Sequence, residues 1–496
     1  MNKKKWVAIL FVVCCVTVFS ACGVQSALRK KAKTISTYTI AATLNDETKT
    51  VEATQNVHYK NETSILLNEV CFHLYGRAFR EGATIKPYAA YNKDKCFPHG
   101  ESFGDVAIEK VCVQGKEVSF TIGGEDETIL IVPLQEELYP ESYVDIDISF
   151  TLTLSENTHR LGYYNGNINL GNWYPVACMY EQGDFLETAY YSTGDPFYTS
   201  VANYNVTFTM PSTYEVAYTG NVVSSSQNAN MVTQTFKASV VRDFALTLSQ
   251  QFEKVSGEVD GVTISYYGYK GDEDMKANLQ TAVKAFTYYH KNFGEYPYEQ
   301  LSVVKTPFMH GGMEYPNMVT IADSIVNDTD IVKVIAHEIA HQWWYGVVGN
   351  NQLDEAWLDE AMAEYSTIMF LEAHSEYGVT HADSMAEYIS SYILFVDVAD
   401  SITGKVNTNM ELSLKEYTTD YEYTYMVYVR GAIMLDTLRT TIGQKKFLKG
   451  IQTYYKQNTF AIAQKGNFIA AFEKASGMQL ESLVTSWLSG SAVVAG

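Results

Sequence analysis

Positive charge is scarce in this chain. Its 36 Lys and Arg face 57 Asp and Glu, a formal net charge of −21 over 496 residues. The first 33 residues are basic, so the remainder is more acidic than the total. An acidic body repels a phosphate backbone, which argues against nucleic acid as a partner. It mildly favours ligands that carry a positive amine. Cysteine is also sparse. Beyond the head of the chain only Cys71, Cys96, Cys112 and Cys178 occur, with no CxxC spacing. That pattern argues against a thiol catalyst and leaves room for one or two disulfides in an oxidising compartment. Past Cys22 no stretch is long and apolar enough to cross a bilayer, and no internal repeat is visible. What remains is a chain with 46% hydrophobic residues, enough to fold throughout, and too long for one core, so two or three domains are expected.

The head reads as an export signal. Lys3, Lys4 and Lys5 precede an uncharged run from Trp6 to Phe19. That run is shorter than the roughly 20 residues of a bilayer span. Phe19-Ser20-Ala21-Cys22 resembles the lipobox of bacterial lipoproteins, with Phe19 where Leu is usual. The resemblance implies a signal over 1–22, lipidation at Cys22 and a short tether over 23–34. Arg29, Lys30, Lys31 and Lys33 would then lie beside anionic lipid. The expected location is the extracytoplasmic face of the cell membrane, held by the lipid. A plainly cleaved signal or an uncleaved anchor is the alternative.

Residues 35–250 are rich in alternating, β-branched segments such as TYTIAATL, YVDIDISFTLTL and NYNVTFTMP, separated by Asn, Asp, Gly and Pro. They predict an antiparallel β-sandwich or curved-sheet domain. Asn172-Trp173-Tyr174-Pro175 reads as a loop with packing aromatics. One of Glu181, Asp184 and Glu187 is a candidate to face the second half, though a solvated loop is the favoured reading of the three. Residues 251–496 are mostly helical in pattern, after strands at VTISYYGY and LSVVKTPF.

The chemistry concentrates in Val334–Tyr345, VIAHEIAHQWWY. His337 and His341 are four apart, which on a helix puts both imidazoles on one face. Glu338 stands beside them, giving the HExxH pattern of zinc metallopeptidases. Two core histidines beside a solvated Glu338 are the structural alternative; the apolar lead-in, Trp343, Trp344 and the carboxylate-bearing segment that follows argue against it. A catalytic zinc takes three protein ligands and keeps one position for water. Glu360, separated from His341 by eighteen residues, is the best third ligand, with Glu355, Asp359 and Glu364 as rivals. Asp359 or Glu364 could instead support a ligand from behind. Asp328 or Asp330 is expected to cap the metal helix.

Upstream, His310-Gly311-Gly312-Met313-Glu314-Tyr315-Pro316 follows a strand. Two glycines allow close backbone approach, and a strand edge there could pair with an extended peptide. Glu314 would point into the cleft and bind a free α-amine, fixing cleavage to the first bond; a Gly-rich turn with Glu314 in water is the alternative. Downstream, residues 423–438 read as a helix closed by Gly443. On it Tyr425 and Tyr428 lie broadly on one side, and Arg430 offers a charge for a substrate carboxylate or phosphate. These tyrosines could also serve packing alone.

Together these residues resemble the aminopeptidase N-like family of zinc metallopeptidases. HGGMEYP is similar to that family's GxMEN motif, His337-Glu338-Ile339-Ala340-His341 with Glu360 to its zinc signature, and Tyr428-Val429-Arg430-Gly431 to its Tyr-x-Lys-Gly segment. The resemblance implies a thermolysin-like α+β metallopeptidase domain after the β domain. It implies one zinc per chain on His337, His341 and Glu360, with Glu338 as general base and Tyr428 stabilising the oxyanion. Glu314, with Gly311, Gly312, Met313 and Arg430, would bind substrate. The implied reaction is release of N-terminal residues from peptides with a free amine. An endopeptidase, another amide or epoxide hydrolase on the same site, or a non-catalytic peptide-binding lipoprotein are the alternatives; no protein partner is evident. Tyr315 stands where the family has Asn, and Arg430 where it has Lys. By length the chain is expected to be a short lipoprotein member lacking the family's C-terminal helical domain, with a cleft left open or completed by a partner.

Overall fold

The computed structural model describes residues 23–494; the head read as an export signal, with Cys22, lies outside the described residues. Alternation in the first half does what its pattern predicts. Thr37–Asn45 buries every second side chain, and so do Tyr143–Thr153 and Ala202–Pro211. Such strands have one face for a core and one for water. They build an eight-stranded sheet with Thr37–Asn45 near its centre, and two four-stranded sheets lie in the same domain. The sheet is mixed, not purely antiparallel: Thr37–Asn45 pairs antiparallel with Thr50–Lys60 but parallel with Ala202–Pro211. A strand returning from far along the sequence is free of the hairpin geometry that forces antiparallel pairing. Trp173 and Tyr174 are fully buried in this domain's core. Cys71, Cys96, Cys112 and Cys178 are all free thiols, so the disulfides allowed by compartment are not formed.

The second half opens with a five-stranded sheet whose order ends in the short strand Gly312–Met313. That strand pairs with Met318–Ala322 and has no partner on its other side among the described residues. Helix α1, Met275–Asn292, packs on this sheet and on helix α2, Asp328–Ala340. The cap of α2 is Asn327, whose side chain accepts from the backbone N–H of Thr329 and Asp330. Asp328 and Asp330, the expected caps, lie inside the first turn, where their charge suits the helix dipole. Helix α3, Trp357–Ala373, follows, then α4, His381–Thr403, and α5, Arg430–Ile442. Among the described residues no helix is long and apolar enough to cross a membrane.

The expectation that the chain is a short member lacking a C-terminal helical domain is overturned. From Met275 to Leu488 the chain forms a substantial helical domain, continued past α5 by Gln444–Asn458, Lys465–Ser476 and Glu481–Leu488. Phe447, Tyr454, Phe468, Phe472, Val484 and Trp487 on these last helices are buried in the same core as the metal-motif helices. Chain length alone misled here, because short amphipathic helices suffice to complete a domain when each buries one face.

The halves are locked together under the site. Arg242 is buried and donates to the carbonyls of Tyr345 at 2.7 Å, Thr199 at 3.0 Å and Ala461 at 2.9 Å. Beside it, Tyr315 donates to Asn172 at 3.2 Å, and Asn172 and Tyr345 both donate to Asp243. Tyr315 therefore reaches across and ties the glycine-rich strand to the β domain.

Candidate metal and peptidase site

Helices α2 and α3 bring the ligand atoms together. Nε2 of His337 and Nε2 of His341 are 3.0 Å apart, and Glu360 Oε2 stands 3.3 Å and 3.2 Å from them. Three donors on a tetrahedral zinc with bonds of about 2 Å lie roughly 3.3 Å from one another. The triangle observed fits that ion without movement of helices, and these three residues form a group able to hold a metal. The donor chemistry agrees. His341 Nδ1 lies 3.0 Å from the Trp344 carbonyl, which fixes the proton there and leaves Nε2 as a lone-pair donor.

The electrostatics favour a cation. Burial works against the charged form of His341, yet Glu360 and Glu314 raise it to about 10. Burial likewise opposes ionisation of Glu360, but His341 and His337 hold its carboxyl well below the usual range. Glu338 is pushed up to about 7 by burial, against the pull of His337 and His341. Its Oε2 is buried with no hydrogen-bond partner among the described residues. An acid so placed could take a proton from a water bound to a metal that His337, His341 and Glu360 would hold.

A second pair of carboxylates faces the cluster. Glu314 is buried, held by Gln352 at 3.1 Å, and raised far above its ordinary value by burial with Asp195 and Glu360 beside it. Asp195 comes from the β domain; burial raises it, while its ion pair with Arg160 opposes the rise. Asp195, Glu314 and Glu360 bring their oxygens within 4.8 Å of one another. Buried carboxylates this close are stable as anions only with positive charge between them. A cavity of about 440 Å³ joins these residues to Gly311, Gly312, Tyr423 and Tyr428.

Gly312 shows why this strand has no side chain there. A Cβ at 312 would stand 2.3 Å from Oε1 of Glu338. Gly312→Ala should therefore displace the acid and lower kcat by about 10²-fold, the effect of a misplacement near 1 Å. Wild-type kcat in that variant, with the fold intact, would contradict it.

Tyr428 is delivered by a π-helical segment, Thr424–Val429, between the short helix Asp420–Tyr423 and α5. Its ring stacks on His337 with centroids 5.8 Å apart. The wider i→i+5 turn separates it from Tyr425, which stacks on Phe395 of α4 at 4.4 Å. The two tyrosines expected on one side thus part company. Arg430 is not at the site. It is 1% exposed, donates to Tyr392 at 2.9 Å and to the carbonyls of Trp487 and Ala492, and packs over Trp487. The reading of Arg430 as a substrate ligand is corrected: the first turn of α5 aims it into the core. Met313 is also buried, its sulfur accepting from Arg160 at 3.0 Å, while Gly311 and Gly312 line the cavity.

Of the rival ligands, Glu355 accepts from the backbone N–H of Lys465, and Asp359 from Asn350 and Gln352. Glu364 sits behind His337, 2.7 Å from its Nδ1. None of Glu181, Asp184 and Glu187 lines the cavity; Glu181 pairs with the Tyr198 hydroxyl. Asp195 was missed, and its one local signal is a Gly194-Asp195-Pro196 turn in which Gly194 has φ +65°.

Residues 277–487 match the Peptidase family M1 domain. This M1-like region contains both metal-bearing helices and the π segment. Among curated relatives, the glutamyl aminopeptidase of Mus musculus is 27% identical over 236 residues, 44% of this chain and 24% of its own length. Probable aminopeptidase 2 of Sulfurisphaera tokodaii is 28% identical over 256 residues, 48% of this chain and 31% of its own. The chain thus spans about a quarter to a third of these relatives. A solved structure, a mutant M1 zinc metallopeptidase of Deinococcus radiodurans bound to a Tyr-ser-ala substrate, superposes with TM-score 0.64 at 16% identity, over 92% of this chain and 94% of that one. Likeness at that identity shows the fold alone: a β domain followed by a thermolysin-like, mostly helical domain.

Proposed function

We propose that this chain is a zinc metallopeptidase that releases N-terminal residues from peptides outside the cell, with residues 35–250 walling the cleft and 251–496 carrying the chemistry. One observation carries the exopeptidase part: two buried carboxylates, Glu314 and Asp195, stand beside the metal cluster with room for a substrate ammonium. The names of the relatives, aminopeptidases in both cases, support the same reading.

His337, His341 and Glu360 would hold a zinc ion, which when bound would supply Lewis acidity, making a water more acidic and a carbonyl more electrophilic. Glu338 takes the proton of the attacking water and passes it to the leaving amine. The Tyr428 hydroxyl donates to the oxyanion as its charge develops. Glu314 and Asp195 hold the free amine, and the edge strand Gly312–Met313 pairs with the peptide backbone, so the first peptide bond meets Glu338. Purified protein assayed on aminoacyl amides and N-blocked peptides, with and without chelator, tests this. Chelator-sensitive cleavage of the amides is expected. Equal cleavage of blocked peptides would indicate an endopeptidase, and none on either would sink the enzyme reading.

Anchoring through a lipid on Cys22 is part of the proposal and rests on the basic, apolar and lipobox-like head of the sequence. Cys22→Ala should release the protein from the membrane fraction; unchanged membrane retention would contradict the lipid anchor.

A further inference from the structure

The two metal-facing imidazoles are not held alike. His341 rests on a neutral acceptor, the Trp344 carbonyl. Behind His337 stands a carboxylate, Glu364, with Oε2 2.7 Å from Nδ1. The ring N–H does not yet point along that line, since Nδ1 has no aligned hydrogen-bond partner among the described residues. The 2.7 Å separation is nevertheless hydrogen-bond distance, so the pair lacks only alignment. The other oxygen of Glu364 accepts from the hydroxyl of Tyr388 on α4. Glu364 lies one turn after Glu360 on α3, so a single helix face carries both the ligand and the group behind its neighbour.

We propose that Tyr388 and Glu364 form a positioning relay that fixes the His337 ring and strengthens it as a zinc donor, so that α4 helps set metal affinity. The inference rests on His337 being a zinc ligand. A carboxylate accepting from Nδ1–H keeps the proton off Nε2 and raises the basicity of the ring, which a backbone carbonyl does less. The carboxylate needs its own rotamer fixed, and the Tyr388 hydroxyl does that in a half-buried setting where such chains reinforce one another. Helix α4 is itself held at both levels. Thr380 and Asp383 cap its start, and Tyr392 bonds Arg430 one helix away. Through the Phe395–Tyr425 stack the same helix braces the segment that delivers Tyr428.

The decisive quantity is the zinc dissociation constant of the full-length chain, measured by competition with a chromophoric chelator. Glu364→Ala should weaken zinc binding by roughly 10- to 100-fold. Tyr388→Phe should weaken it less, and the double variant should bind no more weakly than Glu364→Ala alone. The Tm of the metal-free proteins should stay at wild type. Glu364→Gln, nearly isosteric, covers the case in which the Ala variant does not fold. Zinc binding within about twofold of wild type in Glu364→Gln and Tyr388→Phe would overturn the relay, as would full additivity in the double variant. His337→Ala separates the two readings: if it retains wild-type zinc affinity, the ligand assignment on which the relay rests has failed.

Discussion

Glu338→Gln should lower kcat for aminoacyl amides by about 10²- to 10⁴-fold, the usual contribution of a general base. Zinc content should not change. The amide occupies the same volume between the glycine-rich strand and α2, so the ligands His337 and His341, on the same helix, keep their places. What is lost is a group that can accept a proton. The pH dependence should carry the same signature. Burial lifts the Glu338 carboxyl to about 7, and a bound cation adds to the downward pull of the two imidazoles. A base works only when ionised, so kcat should fall as pH drops, on a limb at or below about pH 7 that is absent from the residual activity of Glu338→Gln. A Gln variant with full kcat at full zinc occupancy would remove Glu338 from the mechanism.

Glu314→Ala should raise KM for substrates with a free amine by roughly 10- to 100-fold, the loss of one charge-assisted hydrogen bond. Substrates blocked at the amine should be affected far less. Glu314 touches no zinc donor through a hydrogen bond; its carboxylate is held by Gln352, which Asp359 holds in turn. The strand can keep its course without the side chain, because Tyr315 anchors it to Asn172 and Gln342 donates to the Glu314 and Tyr315 carbonyls. Asp195 remains in the variant and retains part of the affinity. Equal effects on free and blocked substrates would sink the exopeptidase claim.

The parts of this molecule that were legible in sequence are those fixed by local periodicity. Four-residue spacing places His337 and His341 on one face whatever surrounds them, and strict alternation from Thr37 to Asn45 buries one face of a strand wherever it pairs. Eighteen residues from His341 to Glu360 suffice for a turn and the start of a helix, which α3 supplies. What was not legible depends on meetings across the fold. Asp195 reaches the site because the β domain packs there, and Arg160 neutralises it from a different segment. Tyr388 lies 24 residues beyond Glu364 on another helix. One wide turn in Thr424–Val429 changes which way every side chain after it points, so Tyr428 faces His337 while Arg430 turns into the core. Charge alone suggested a substrate ligand at 430, but a guanidinium can also be satisfied by a hydroxyl, carbonyls and an indole face.

The most direct measurement is the zinc-to-protein ratio of the full chain after reconstitution and removal of free metal, beside that of Glu360→Ala. One zinc per wild-type chain is predicted, with the variant losing it under the same wash. A folded wild-type protein that retains no zinc, or a variant that holds it as tightly, would contradict the account.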